Sequence, residues 1–162
     1  VHLKKIEIMN NLLKLGLAIT LLGGLASCGN TESKKEITKE IGKQECYVAV
    51  DGTDTAFLDL NILENGDIDG NLLIKFAEKP KNTGIIAGKF SGDTLFVDYS
   101  FTLGEADQPI YKNPLAFLKK DGKLTLGVGQ IETTLGKSYF VKGQPINFER
   151  GKFTFEPGAC KN

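Results

Sequence analysis

From Leu95 to Leu103 the chain alternates apolar and polar side chains. Leu95, Val97, Tyr99, Phe101 and Leu103 fall on one side of an extended backbone, and Phe96, Asp98, Ser100 and Thr102 fall on the other. A period of two marks a strand with one buried face. The same period runs through Ala56, Leu58, Leu60 and Ile62, set against Phe57, Asp59 and Asn61. It recurs through Ile68, Gly70, Leu72, Ile74 and Phe76, opposite Asp69, Asn71 and Lys75, and resumes at Ile86, Gly88 and Phe90. Turn residues separate these runs. Asn65-Gly66 suits a type I′ hairpin, whose two central residues both need positive φ. Pro80 and Gly84 break the longer Glu78 to Gly84 connection, and Gly92-Asp93 marks another hairpin. Gly104 to Asn113 reads as the largest loop. Leu115 to Leu118 returns to strand, Asp121-Gly122 turns it, and Lys123 to Thr133 runs back as one strand through Leu124, Leu126 and Val128. Gly136 precedes a strand at Ser138 to Val141, and Gly151 precedes a last one around Phe153 and Phe155.

No segment after Cys46 repeats with the helical period, so the domain is expected to be all-β. Sequential strands joined by short hairpins make an antiparallel meander. A meander of about eight or nine strands removes its edges by closing into a small barrel, and a two-sheet sandwich is the rival arrangement. Glycines at Gly70, Gly88, Gly127 and Gly129, read as lying inside strands, fit the curvature of a barrel.

The pattern before Cys28 is different. Lys4, Lys5 and Lys14 are basic, Leu15 to Leu25 is apolar apart from small and hydroxyl residues, and the small Ala26 and Ser27 follow. This is the layout of a secretory signal. A run of about 11 residues is too short to cross a hydrocarbon core of roughly 30 Å as a helix, which takes about 20. Leu25-Ala26-Ser27-Cys28 resembles the lipobox of bacterial lipoproteins: an aliphatic residue, a small residue, Gly, Ala or Ser, then cysteine. The resemblance implies a helical signal peptide over residues 1–27, cleavage before Cys28, and a diacylglycerol on Cys28 as the only attached group, with no other cofactor. Met9-Asn10-Asn11 makes a more compact signal start than Val1. Two or more acyl chains hold stably to a bilayer where one holds marginally. Gly29, where an Asp commonly signals inner-membrane retention, leans the expected location toward the outer membrane.

Residues 28–44 read as the lipidated cysteine and a charged tether, because Ile37 and Ile41 are its only strong hydrophobes and bury too little to offset ordering. The 16 residues after Cys28 span about 20 to 25 Å as a flexible chain. Residues 45–162 have the length of one domain.

Cysteine usage agrees with an oxidising compartment. With Cys28 assigned to lipid, Cys46 and Cys160 remain, one at each end of the domain, and read as a disulfide. Such a loop of about 115 residues would stabilise by up to roughly 4 to 5 kcal/mol on the chain-entropy model.

Charge and composition exclude several chemistries. The chain carries 20 basic and 20 acidic residues; Lys4, Lys5, Lys14 and Glu7 precede Cys28, which leaves 17 and 19. No basic field exists to draw in nucleic acid. The single histidine, His2, precedes Cys28, so the expected mature chain has no Ser-His-Asp or Cys-His arrangement and no histidine-ligated metal. Asp67 and Asp69 superficially suggest a calcium loop but lack the further carboxylates of an EF-hand, and Asp51 and Asp54 around Gly52 read likewise as turn residues. Asp59, Asp98 and Glu132 are the acids to weigh as a glycosidase pair, although nothing in their spacing brings them together. Arg150, the only arginine, is expected to pair with Glu149 or Glu132. No metal site and no catalytic constellation emerge.

Gly92 to Phe101, Ala116 to Lys120 and Gly127-Val128-Gly129 resemble a group of uncharacterised lipoproteins from Bacteroidota. These are hairpin and strand residues, so the resemblance implies a lipid-anchored extracytoplasmic domain and no particular activity. The expected role is a structural or protein-interaction module of the cell envelope, held to the membrane by lipid and meeting an envelope protein partner. The alternative is a barrel holding a small apolar ligand, lined by Phe76, Phe90, Phe96, Tyr99 and Phe101; an enzyme comes third. Interior volume separates the first two: about 300 Å³ of continuous cavity would favour a ligand.

Overall fold

The computed structural model describes residues 40–105 and 107–160. The signal peptide, Leu25, Ala26, Ser27 and the lipid-bearing Cys28 lie outside the described residues. Within them the domain is all-β, and the choice between barrel and sandwich is settled: eight antiparallel strands form a closed barrel, accompanied by a small two-stranded sheet.

The strands are β1 (Ile41–Asp51), β2 (Asp54–Leu63), β3 (Asp67–Lys75), β4 (Asn82–Ser91), β5 (Thr94–Leu103), β6 (Tyr111–Lys120), β7 (Lys123–Leu126), β8 (Ile131–Thr134), β9 (Lys137–Phe140) and β10 (Thr154–Pro157). β1 to β7 follow one another as a meander, and β10 slots between β7 and β1 to close the wall. The first strand begins at Ile41, within the stretch read as tether, because residues 41–44 pair with β2 as far as Leu63.

The chain enters at one end of the barrel, which also carries the loops at 64–66, 92–93 and 121–122 and the end of β10. The opposite, far end carries the loops at 52–53, 76–81 and 104–110 and the excursion at 127–153.

The alternating residues read from the sequence point inward. Ala56, Leu58, Leu60, Ile68, Leu72, Leu95, Val97 and Tyr99 are buried in one core with Phe117, Leu124, Phe153 and Phe155. Gly88 is held by the backbone of its neighbour: a Cβ there would sit 1.9 Å from the Phe96 carbonyl oxygen, so strand coiling leaves room for hydrogen only.

Two local expectations are corrected. The β2–β3 turn is a three-residue loop closed by the Gly66 N–H on Leu63 O at 2.9 Å, with positive φ at Gly66 (81°) but not at Asn65. Asn65 instead uses its side chain, accepting from the Asp67 N–H and donating to the Asp67 carboxylate. The run from Lys123 to Thr133 is not one strand. β7 stops at Leu126, and Gly127 and Gly129 lie outside the strands, where a Cβ would strike Ile146 and Phe148 at Gly127, or Phe140 at Gly129. These glycines let the chain leave the wall and pack back on it, rather than curving a strand.

Candidate functional site

The five aromatics proposed as a ligand lining do not share one cavity. Tyr99 and Phe101 are interior and stacked, with ring centroids 4.6 Å apart. The Tyr99 hydroxyl donates to Leu72 O at 2.9 Å, and burial raises its phenol above the ordinary tyrosine range. Phe76 and Phe90 are half-buried against the same core. Phe96 is different: out of phase with Leu95 and Val97, it stands on the outer wall, 39% exposed. The interior itself is filled. Leu58, Leu60, Leu95, Phe117, Leu124 and Phe155 have no exposed surface, and Phe117 meets Phe155 edge-on at 5.6 Å.

The entry mouth carries an ionic cluster beside a hollow of about 390 Å³ that Glu45, Tyr47 and Lys119 help to line. Glu45 on β1 accepts from Lys43 Nζ and the Tyr47 hydroxyl, each at 2.6 Å, and from Lys119 Nζ of β6 at 3.1 Å. The Glu45 side chain is only 14% exposed. Burial alone would raise its carboxyl, but the three donors outweigh burial and hold it at about 2. Burial, with the Glu45 carboxylate beside it, pushes the Tyr47 phenol up. Lys119 also lies over the Phe90 ring at 5.6 Å. Beside this cluster the Cys46–Cys160 disulfide is formed, with Cα atoms 5.1 Å apart.

At the far end Lys152 bridges Asp54 at 2.9 Å and Asp51 at 3.1 Å. The Ala77 N–H and then Lys152 hold the Asp54 carboxyl below the ordinary range. A single lysine, out of reach of sequence reasoning, thus explains both turn acids at 51 and 54.

A hollow of about 390 Å³ lies beside Asp54, Phe76 and Lys152 at the far end, and the outer wall carries a further concave surface. The excursion after β7 forms the β8–β9 hairpin, returns through a bridge between Val128 and Asn147, and lies against β6. Outward-facing Ala116 is thereby buried although it points away from the core. Phe96 meets Phe140 edge-on at 6.5 Å. Two adjoining cavities remain between hairpin and wall. One of about 320 Å³ has Phe96, Pro114, Tyr139 and Phe140 with Lys89 and Asp98 among its lining. The other, about 270 Å³, lies between Lys112 and Asn113 of β6 and the hairpin tip at 135–138, and shares Asp98.

The remaining candidates scatter. Asp59 is on β2, Asp98 three strands away on β5, and Glu132 on the hairpin. Asp67 and Asp69 take side-chain hydrogen bonds from Asn65 and Asn61. Arg150 forms an ion pair with neither Glu149 nor Glu132 among the described residues. Its backbone N–H caps onto the Asn147 side chain, which sets the turn instead. No group of three or more metal-ligating side chains forms among the described residues. The chain matches no protein-family model, and comparison with curated proteins and with solved structures returns no match.

Proposed function

We propose that this chain is a membrane-anchored envelope lipoprotein whose barrel acts as a protein-interaction or structural module. The filled interior carries the second half of this reading. Leucines and phenylalanines occupy the axis, Glu45 pairs with Lys119 at the entry mouth, and the cavities at Phe96 and Asp98 lie outside the wall. An apolar ligand in the barrel axis loses its support on the same ground.

The anchoring half rests on Leu25-Ala26-Ser27-Cys28 and on the likeness of residues 92–101, 116–120 and 127–129 to Bacteroidota lipoproteins. The Cys46–Cys160 disulfide agrees with an oxidising compartment. Gly29 leans toward the outer membrane.

Cys28→Ala separates the two halves. The variant is expected to lose its lipid and appear in the soluble envelope fraction with the barrel intact. Membrane attachment that persists until detergent is added would overturn the anchor. Native mass spectrometry of the lipidated protein from its own membrane then tests the module: a retained protein partner supports it, and a retained apolar small molecule overturns it.

A further inference from the structure

Strand register gathers a set of outward side chains on the concave part of the wall. Phe96 and Asp98 point outward from β5, with Lys89 and Ala87 opposite them on β4 and Ala116 and Pro114 opposite them on β6. Lys112 stands diagonal to Asp98, two residues along β6 from Pro114. The β8–β9 hairpin supplies the facing side with Lys137, Tyr139 and Phe140. The cavities of about 320 Å³ and 270 Å³ share Asp98, so they run together as one groove.

The two halves differ in chemistry. The first offers aromatic rings, with Phe96 39% and Tyr139 38% exposed and the short Ala87 beside them. The second is more polar, with Lys112, Asn113 and Lys137. Lys89 stands opposite Asp67 on β3, yet no ion pair joins them, and Asp98 pairs with neither of its diagonal neighbours Lys89 and Lys112. None of Lys89, Asp98, Lys112, Asn113 and Lys137 makes a side-chain hydrogen bond among the described residues. These groups limit what fits. An ionised Asp98 only accepts and the lysines only donate, so a ligand must offer donors and acceptors side by side. A simple apolar acid suits the rings and the lysines but sets its own carboxylate against Asp98. A pyranose suits all of them. Its C–H face matches the electron-rich face of an aromatic ring, and its vicinal hydroxyls both donate to a carboxylate and accept from an ammonium. Three lysines against one acid favour a sugar that is itself anionic.

We propose that the groove between the outer wall and the β8–β9 hairpin binds an acidic oligosaccharide. One ring lies against Phe96 and Tyr139, its hydroxyls meet Asp98 and Lys89, and the carboxylate of the next ring meets Lys112 and Lys137. The proposal goes beyond the interaction-module reading and gives the outer wall a ligand of its own.

The probe is digalacturonate, titrated into the full-length chain in detergent and followed by backbone amide NMR. Shifts are expected at Phe96, Asp98, Asn113 and Tyr139. Neutral digalactose should bind about tenfold more weakly, and so should digalacturonate to Lys112→Gln/Lys137→Gln. Benzoate, an apolar acid without hydroxyls, should leave these amides unmoved. Asp98→Ala should weaken digalacturonate, because its hydroxyls lose their acceptor. A surface that merely attracts anions would bind it more tightly once the acid is gone. The three substituted side chains are exposed, so a dispersed spectrum verifies that each variant is folded. Equal binding of the two sugars, matching shifts with benzoate, unchanged or tighter binding in Asp98→Ala, indifference to the lysine pair, or no shift at millimolar digalacturonate would each overturn the groove. None of these results bears on the anchor or on the interaction module, which are read by membrane fractionation and by a retained protein partner.

Discussion

Glu45 Oε2 accepts from Lys119 Nζ at 3.1 Å across the entry mouth, joining β1 to β6 over the two intervening strands β10 and β7. The pair ties the start of the domain to its middle, 74 residues on. Because Lys43 and Tyr47 add two further donors, the folded carboxyl titrates near 2 and an unfolded one near 4.5. A depressed folded value stabilises above the unfolded one and loses that contribution as pH falls. Stability should therefore drop from about pH 5 toward pH 2, by on the order of 1 to 2 kcal/mol after allowance for solvent around exposed Lys43. Glu45→Gln should be less stable at neutral pH and flatter over that window. Urea unfolding from pH 2 to 7 reads both, and parallel curves for the two proteins would refute the assignment.

The seam at β10 is the thinnest part of the wall. β1 and β10 share only the register pairs Tyr47 with Pro157 and Val48 with Glu156, while β1 and β2 pair along their whole length. The Cys46–Cys160 bond and the Gly158 N–H on Cys46 O lie at the end of that short ladder. Cys46→Ser/Cys160→Ser should lose about 2 to 5 kcal/mol. Amide exchange in residues 154–156 should rise first, ahead of β2 to β5. Uniform acceleration throughout the barrel would mean that the bond does not guard the seam.

The parts legible in the sequence were those set by local chemistry. Alternation at Leu95 to Leu103 located β5 to the residue at its C-terminal end, and the cysteines at 46 and 160 announced the closure. The excursion was illegible because Leu124, Leu126 and Val128 keep strand spacing after the strand has ended. What stops β7 is non-local, namely the side chains of Ile146, Phe148 and Phe140 lying over Gly127 and Gly129. Phe96 was grouped with the interior aromatics on its residue type, although its parity already opposed that of Leu95. The candidate groove depends on both points, so it followed from the fold and not from a motif. The cluster at Glu45 had no signal either, since Lys119 is brought to it only by barrel closure.

Gly88 and Gly158 make a matched test of barrel coiling. At Gly88 a methyl group would collide with the Phe96 carbonyl oxygen at 1.9 Å, a backbone atom that cannot swing aside. At Gly158 the nearest atom is a Val48 methyl at 3.5 Å, an ordinary contact. Gly88→Ala should cost about 2 kcal/mol or more through forced backbone movement. Gly158→Ala should stay within about 1 kcal/mol and can gain from a less flexible unfolded chain. Thermal melts of the two variants decide, and equal losses would contradict the close approach of β4 to β5.

Leu135 is the residue whose conformation least suits its type. It occupies the first position of the two-residue β8–β9 turn with φ 51°, followed by Gly136 at 75°, and its side chain is fully exposed. A type I′ turn favours Asn-Gly there, because asparagine tolerates the left-handed region better than a leucine does. At Asp121-Gly122, the other turn with both central residues at positive φ, an acid fills the equivalent place. Leu135→Asn should therefore stabilise the hairpin by about 0.5 to 1 kcal/mol, read as slower amide exchange at residues 131–140. The same substitution removes an exposed apolar side chain from the rim of the cavity beside Lys112 and Asn113. Unchanged or faster exchange in the variant would show that the left-handed leucine costs the hairpin nothing.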